Sequence, residues 1–154
     1  MQTTMEYIEA VAPEDVLATL RWLTAHGYEV SRAVGAGEHM GSALVVFSHS
    51  REVTVLRDRG QWDISVALSP GGTPLSLAVL NAARLGVAWD PGPHRPLDEP
   101  LAPQLPEGMI WHETLPLVLE WLDQPGATAA VEAAAAQARE STTRWWKEMR
   151  QDRA

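Results

Sequence analysis

The five histidines, His26, His39, His49, His94 and His112, are the first side chains in this chain to test for chemistry. A helical metal site needs two ligands at i, i+4 with a third close by. No two of these histidines have that spacing. His112 and Glu113 are adjacent, and neighbours on a helix point about 100° apart. The chain has no cysteine, so it offers neither a thiolate ligand nor a thiol nucleophile. Ser42, Ser48, Ser50 and Ser69 lack the glycine-x-serine-x-glycine elbow of a serine hydrolase. Gly35-Ala36-Gly37 lacks the third glycine and the following helix of a dinucleotide loop, and Gly71-Gly72 lacks the lysine and hydroxyl of a phosphate loop. Of the paired carboxylates, Glu14-Asp15 belongs to a helix start. Asp98-Glu99 lies among prolines, with no apolar surroundings to raise a carboxyl. The pattern predicts a protein with no catalytic residues, no metal and no cofactor.

Tryptophan is the unusual residue, seven of them against one phenylalanine and two tyrosines. Strand alternation places Trp62 in the core, and helical spacing places Trp145 on a core stripe. Trp22 falls nearly opposite the apolar stripe of its helix, beside Asp15, Thr19 and His26. Two readings follow: a second contact with residues 5–11, or an exposed aromatic anchor for a partner, the residue type favoured at binding hot spots. The aromatics are not interleaved with basic residues, so stacking on nucleic acid is not expected.

The elements that would carry these residues are legible from periodicity. Gln61 to Leu68 alternates, with Trp62, Ile64, Val66 and Leu68 on one face, as a strand half-buried on an antiparallel sheet does. Val53 and Val55 alternate likewise. Arg57-Asp58-Arg59-Gly60 between them suits a type I turn followed by a glycine at positive φ. Residues 28–34 and 43–47 read as two further strands. Short links between consecutive strands permit antiparallel pairing and not parallel pairing. The expectation is α+β, a single domain over residues 1–154, with three to four antiparallel strands over about 28–68 packed against helices. Pro13-Glu14-Asp15 opens one helix and Gly27 ends it. Thr73-Pro74 opens another that runs to about Leu85. Helices at about 113–123 and 127–150 close the chain, the last with Val131, Ala134, Ala135, Ala138, Thr142, Trp145 and Met149 at helical spacing. The expected core includes Trp62, Ile64, Val66, Val53, Val55, Leu20, Leu23 and Leu119.

Six of the eleven prolines fall within residues 87–112, a proline-rich loop of the length that is usually functional. Net charge is −8, and residues 86–125 hold seven acids against Arg95 alone. Such a chain is repelled by nucleic-acid phosphates and anionic lipid and attracted to a basic partner. No apolar run approaches the ~20 residues of a membrane span. The start, MQTTMEYIEA, does not read as a signal peptide, so the expected compartment is the cytoplasm.

The acidic balance, a compact α+β layout without catalytic residues, and the strand-turn-strand VTVLRDRGQWDISVAL followed by a helix together resemble the small immunity proteins of bacterial polymorphic-toxin and contact-inhibition systems. The resemblance covers about residues 43–86 and the general layout. It implies direct inhibition, in which an acidic face masks the basic active site of a toxin and no chemistry occurs on the immunity side. Charge density then selects Asp90, Asp98, Glu99, Glu107 and Glu113 for that face, with Trp22 as the aromatic candidate. Two other classes share these features: an adaptor or chaperone of a secretion or assembly system docking through the C-terminal helix, and a small-molecule-binding domain roofed by the proline-rich loop.

Overall fold

The computed structural model describes residues 3–35, 42–58, 60–88 and 109–151. Among these residues the elements run α1 (Thr4–Val11), α2 (Glu14–Ala25), β1 (Glu29–Val34), β2 (Ala43–Ser48), β3 (Glu52–Asp58), β4 (Gln61–Ala67), β5 (Leu75–Ser76), α3 (Leu77–Leu85), α4 (Trp111–Leu122) and α5 (Ala127–Gln151). The strands form one antiparallel sheet in chain order, and the fold is α+β as the alternation predicts. It has one strand more than expected. β5 is two residues long, too short to show any period, and pairs Ser76 with Ser65 and Leu75 with Val66. It occupies the position where Thr73-Pro74 suggested a helix start. The helix begins instead at Leu77, where the Ser76 hydroxyl accepts from the Ala78 N–H at 3.4 Å.

Period-two alternation puts Val45, Phe47, Val53, Val55, Ile64 and Val66 on one sheet face, in register across the strands: Val55 lies between Val45 and Ile64, Val53 between Phe47 and Val66. Helices cover that face. Ile8 of α1, Leu20 and Leu23 of α2, Leu77 and Leu80 of α3, and Leu115 and Leu119 of α4 join the strand residues in one buried cluster. Seven of the eight expected core residues are buried; Trp62 is the correction. It has the right face but stands near the hairpin end of β4, opposite Arg57, where it is only half-buried. On the other face, Leu44, Thr54, Leu56, Asp63 and Ser65 are half-exposed.

The β3–β4 hairpin is tighter than the turn the sequence suggested. Pairing continues to Asp58 and Gln61, which leaves only residues 59 and 60 in the loop, and Gly60 takes φ 82°. Gly27 also has a positive φ, 86°, and a Cβ there would sit 2.8 Å from the His49 ring, so the turn out of α2 requires glycine twice over. β1 is an edge strand with all six residues exposed, and a bulge interrupts its pairing with β2 between Val30 and Arg32.

α1 did not stand out in the periodicity, yet its start follows a local rule. Thr3 and Glu6 form a reciprocal capping box, each side chain bonded to the other's backbone N–H. α5 starts as expected and packs its first half inward, with Val131 and Ala135 buried. Further along, Thr142, expected on the core stripe, is exposed, as are Arg144 and Lys147; the side chains of Trp145 and Met149 lie outside the described residues.

Candidate functional site

α2 and α4 pack side by side, and an acid at the start of one holds the start of the other. α4 has no side-chain cap of its own, because Ile110 at its N-cap position has no side-chain oxygen to offer. Asp15 supplies it from the first turn of α2. Its carboxylate accepts from the Trp111 N–H at 2.8 Å and the His112 N–H at 2.9 Å, and the His112 ring lies 2.6 Å away. These donors would otherwise be unsatisfied, and they form the positive end of the α4 dipole. Burial alone would raise the Asp15 carboxyl. The backbone N–H groups of His112 and Trp111, followed by the His112 ring, outweigh it and hold the carboxyl below its usual value. A depressed acid stabilises the fold above its unfolded pKa, and that stability is lost as pH falls through the folded one. Asp15→Ala is therefore expected to cost about 1–2 kcal/mol at pH 7, the worth of a helix cap. Urea denaturation at pH 7 and pH 3 should show the deficit shrinking in acid; an equal deficit at both would mean that Asp15 acts by packing.

One turn along α2, Thr19 is buried and donates back to the Asp15 carbonyl at 2.9 Å. Trp22 follows on the same stripe. It is half-buried against the core, and its ring stacks on His26 with centroids 4.1 Å apart and planes 20° apart. The His26 ring nitrogen lies 2.8 Å from the Trp22 carbonyl. The helix packed beside α2 is α4, whereas α1 lies along β1 and β2. Trp22 is thus neither a fully exposed anchor nor a core residue.

Of the residues expected to bind a partner, Glu113 lies exposed in the first turn of α4, one residue from the Asp15 clamp. Trp22 stands in the same two-helix layer, seven residues beyond Asp15 and so about 10 Å along the axis. Asp90, Asp98, Glu99 and Glu107 lie outside the described residues. Charge on the two packed helices is lopsided: Glu14, Asp15, Glu113 and Glu120 face a single basic side chain, Arg21, which pairs with Glu14. At the far end of α4, Asp123 pairs with Arg51 at 2.8 Å and ties the helix to the turn between β2 and β3.

A second acid was invisible in the sequence. Asp63 sits on the open face of the sheet, where burial raises its carboxyl to about 6 despite bonds from the Ile64 N–H and the Ser76 hydroxyl. One of its oxygens is buried without a partner. Strand alternation marks Asp63 as outward-facing, and only the pairing of β5 brings the Ser76 side chain to it.

Among the described residues no group of three or more histidines and acids could hold a metal ion, and no helix is long and apolar enough to cross a membrane. The chain matches no protein-family model, no curated protein and no solved structure.

Proposed function

We propose that this chain is a non-enzymatic cytoplasmic binding protein of the immunity type, which neutralises a basic bacterial toxin by covering its active site with an acidic face. The observation that supports this reading most is the charge on the α2–α4 layer, four acids against one arginine already paired within the layer. The acidic segment 86–125 leads directly into that layer, and the half-buried Trp22 adds an aromatic side chain. Complementary fields act mainly on encounter, raising association rates by 10-fold or more at low salt.

The experiment is co-expression with a toxin encoded beside this gene, followed by stopped-flow association with the purified toxin domain. Rescue of growth is expected. Reversing Asp90, Asp98, Glu99, Glu107 and Glu113 to lysine should slow association by roughly 10- to 100-fold at low salt and flatten its salt dependence. Thermal stability should change little, since Glu113 is exposed and surface substitutions rarely exceed about 0.5 kcal/mol. An unchanged association rate would remove the acidic-face mechanism, and absence of rescue would remove the immunity reading.

One observation favours a second reading. In the outer half of α5, Thr142, Thr143, Arg144, Trp146, Lys147 and Glu148 are exposed, Trp146 at 40 % accessibility, the kind of docking element an adaptor or chaperone of a secretion system would present. Binding that survives the five reversals but not truncation after residue 138 would select it.

A further inference from the structure

Among the described residues, Arg57 is a cation with no acid beside it. It stands one residue before the end of β3 on the core face of the sheet, half-buried, directly opposite Trp62. Its guanidinium carbon lies 5.6 Å from the centroid of the Tyr7 ring and 5.9 Å from that of Trp62, so two aromatic side chains frame it. A terminal nitrogen donates to the Tyr7 hydroxyl, and Nε is buried with no acceptor. The acids nearest in sequence are engaged elsewhere: Glu52 accepts from the Gly71 N–H at 3.1 Å, Asp58 accepts from the Ser42 hydroxyl at 2.8 Å, and Asp63 points to the other face of the sheet, while Glu6, next to Tyr7, caps α1 through Thr3. Among the described residues no carboxylate lies within ion-pair distance of Arg57. A half-desolvated charge without a counter-ion is costly, and proteins rarely leave one so.

We propose that Arg57, framed by Tyr7 and Trp62, is a subsite for a carboxylate. The guanidinium presents its terminal N–H groups as a planar fork that matches two carboxylate oxygens. The Tyr7 hydroxyl and the Trp62 ring hold that fork in place. The charge of the whole chain points the same way, since a net −8 repels a phosphate dianion more strongly than a monoanion. The carboxylate can come from a small organic acid or from a terminus or acidic side chain of a protein. This subsite is independent of the acidic α2–α4 layer, which would attract the opposite charge.

Sodium acetate is the probe, followed by NMR through the Arg57 Nε–H and Trp62 indole N–H resonances, with sodium chloride at equal ionic strength as the control. Acetate is expected to shift both signals saturably, with half-saturation on the order of 10 mM, as one charge-assisted pair would give. Arg57→Lys keeps the charge and loses the fork, and should weaken binding at least tenfold. Tyr7→Phe keeps the ring and removes the hydroxyl, and should retain most of the binding, because the fork itself survives. A hexapeptide with a free C-terminal carboxylate, compared with its amide, separates the sources. Tenfold tighter binding of the free acid than of acetate assigns the site to a protein terminus, and equal binding assigns it to a small acid. A matching response to chloride, tighter binding of inorganic phosphate, or undiminished acetate binding by Arg57→Lys would each overturn the proposal.

Discussion

Phe47→Ala is expected to cost about 3–5 kcal/mol, the range for removing an aromatic ring from a packed core. Phe47 is the chain's only phenylalanine and 1 % exposed. It sits on β2 between Val30 and Val53, in the sheet row over which the helices close. Its neighbours are strand residues pinned by pairing on both sides, so the cavity can collapse little, and the cost belongs at the upper end of the range. A domain of this size has roughly 5–15 kcal/mol of stability in all, so the variant should lose a large fraction of it. Chemical denaturation measures this directly through the midpoint at unchanged slope. A loss below about 1 kcal/mol would mean that the helices do not close over this face.

Asp63→Asn should do the reverse, and only at neutral or alkaline pH. The folded state raises this carboxyl from 3.8 to about 6, so folding favours the protonated form. For a raised acid the favourable contribution is complete below the unfolded pKa and is lost as pH rises through the folded one. Between pH 4 and 6 the wild type should therefore lose stability as pH increases. The full shift corresponds to roughly 3 kcal/mol. Solvent reaches part of the group, which reduces the expected figure to about 1–2 kcal/mol. Asparagine has the same shape: its oxygen can keep the Ser76 and Ile64 bonds, and its uncharged amide takes the place of the partnerless oxygen. The variant should gain about 1–2 kcal/mol at pH 8 and nothing at pH 3.5. Denaturation curves at those two pH values decide it. A wild-type profile that is flat from pH 4 to 6 would mean that water reaches Asp63 freely.

The parts of this fold that were legible in the sequence are those set by local repetition. Alternation from Gln61 to Leu68 marked the core face of β4, and helical spacing marked the buried stripes of α2 and α4. Trp62 shows where that reasoning stops. Alternation assigns a face but not a position along the sheet, and the end of a strand is open to solvent whatever its face. α1 was readable from Thr3 and Glu6, a capping box at the standard interval, but its single buried residue, Ile8, gives no stripe to follow. The Asp15 clamp joins residues 96 and 97 positions apart, and no local rule connects a helix-opening acid to another helix's missing cap. Burial of Asp63 and the placement of Arg57 between Tyr7 and Trp62 are likewise products of tertiary structure. The acidic balance of the chain was plain from composition, while the meeting of Glu14, Asp15, Glu113 and Glu120 on two packed helices required the tertiary structure.

The irregular outer strand has a consequence for how this protein behaves in concentrated solution. β1 leaves one line of backbone donors and acceptors facing water, a template on which a stray extended chain could add. The bulge between Val30 and Arg32 breaks the even spacing of those groups, and the charged side chains of Glu29 and Arg32 would have to be desolvated by any newcomer. At the opposite margin, β5 is two residues long and gives a growing fibril almost nothing to copy. Both margins of the sheet are therefore poor seeds for cross-β growth.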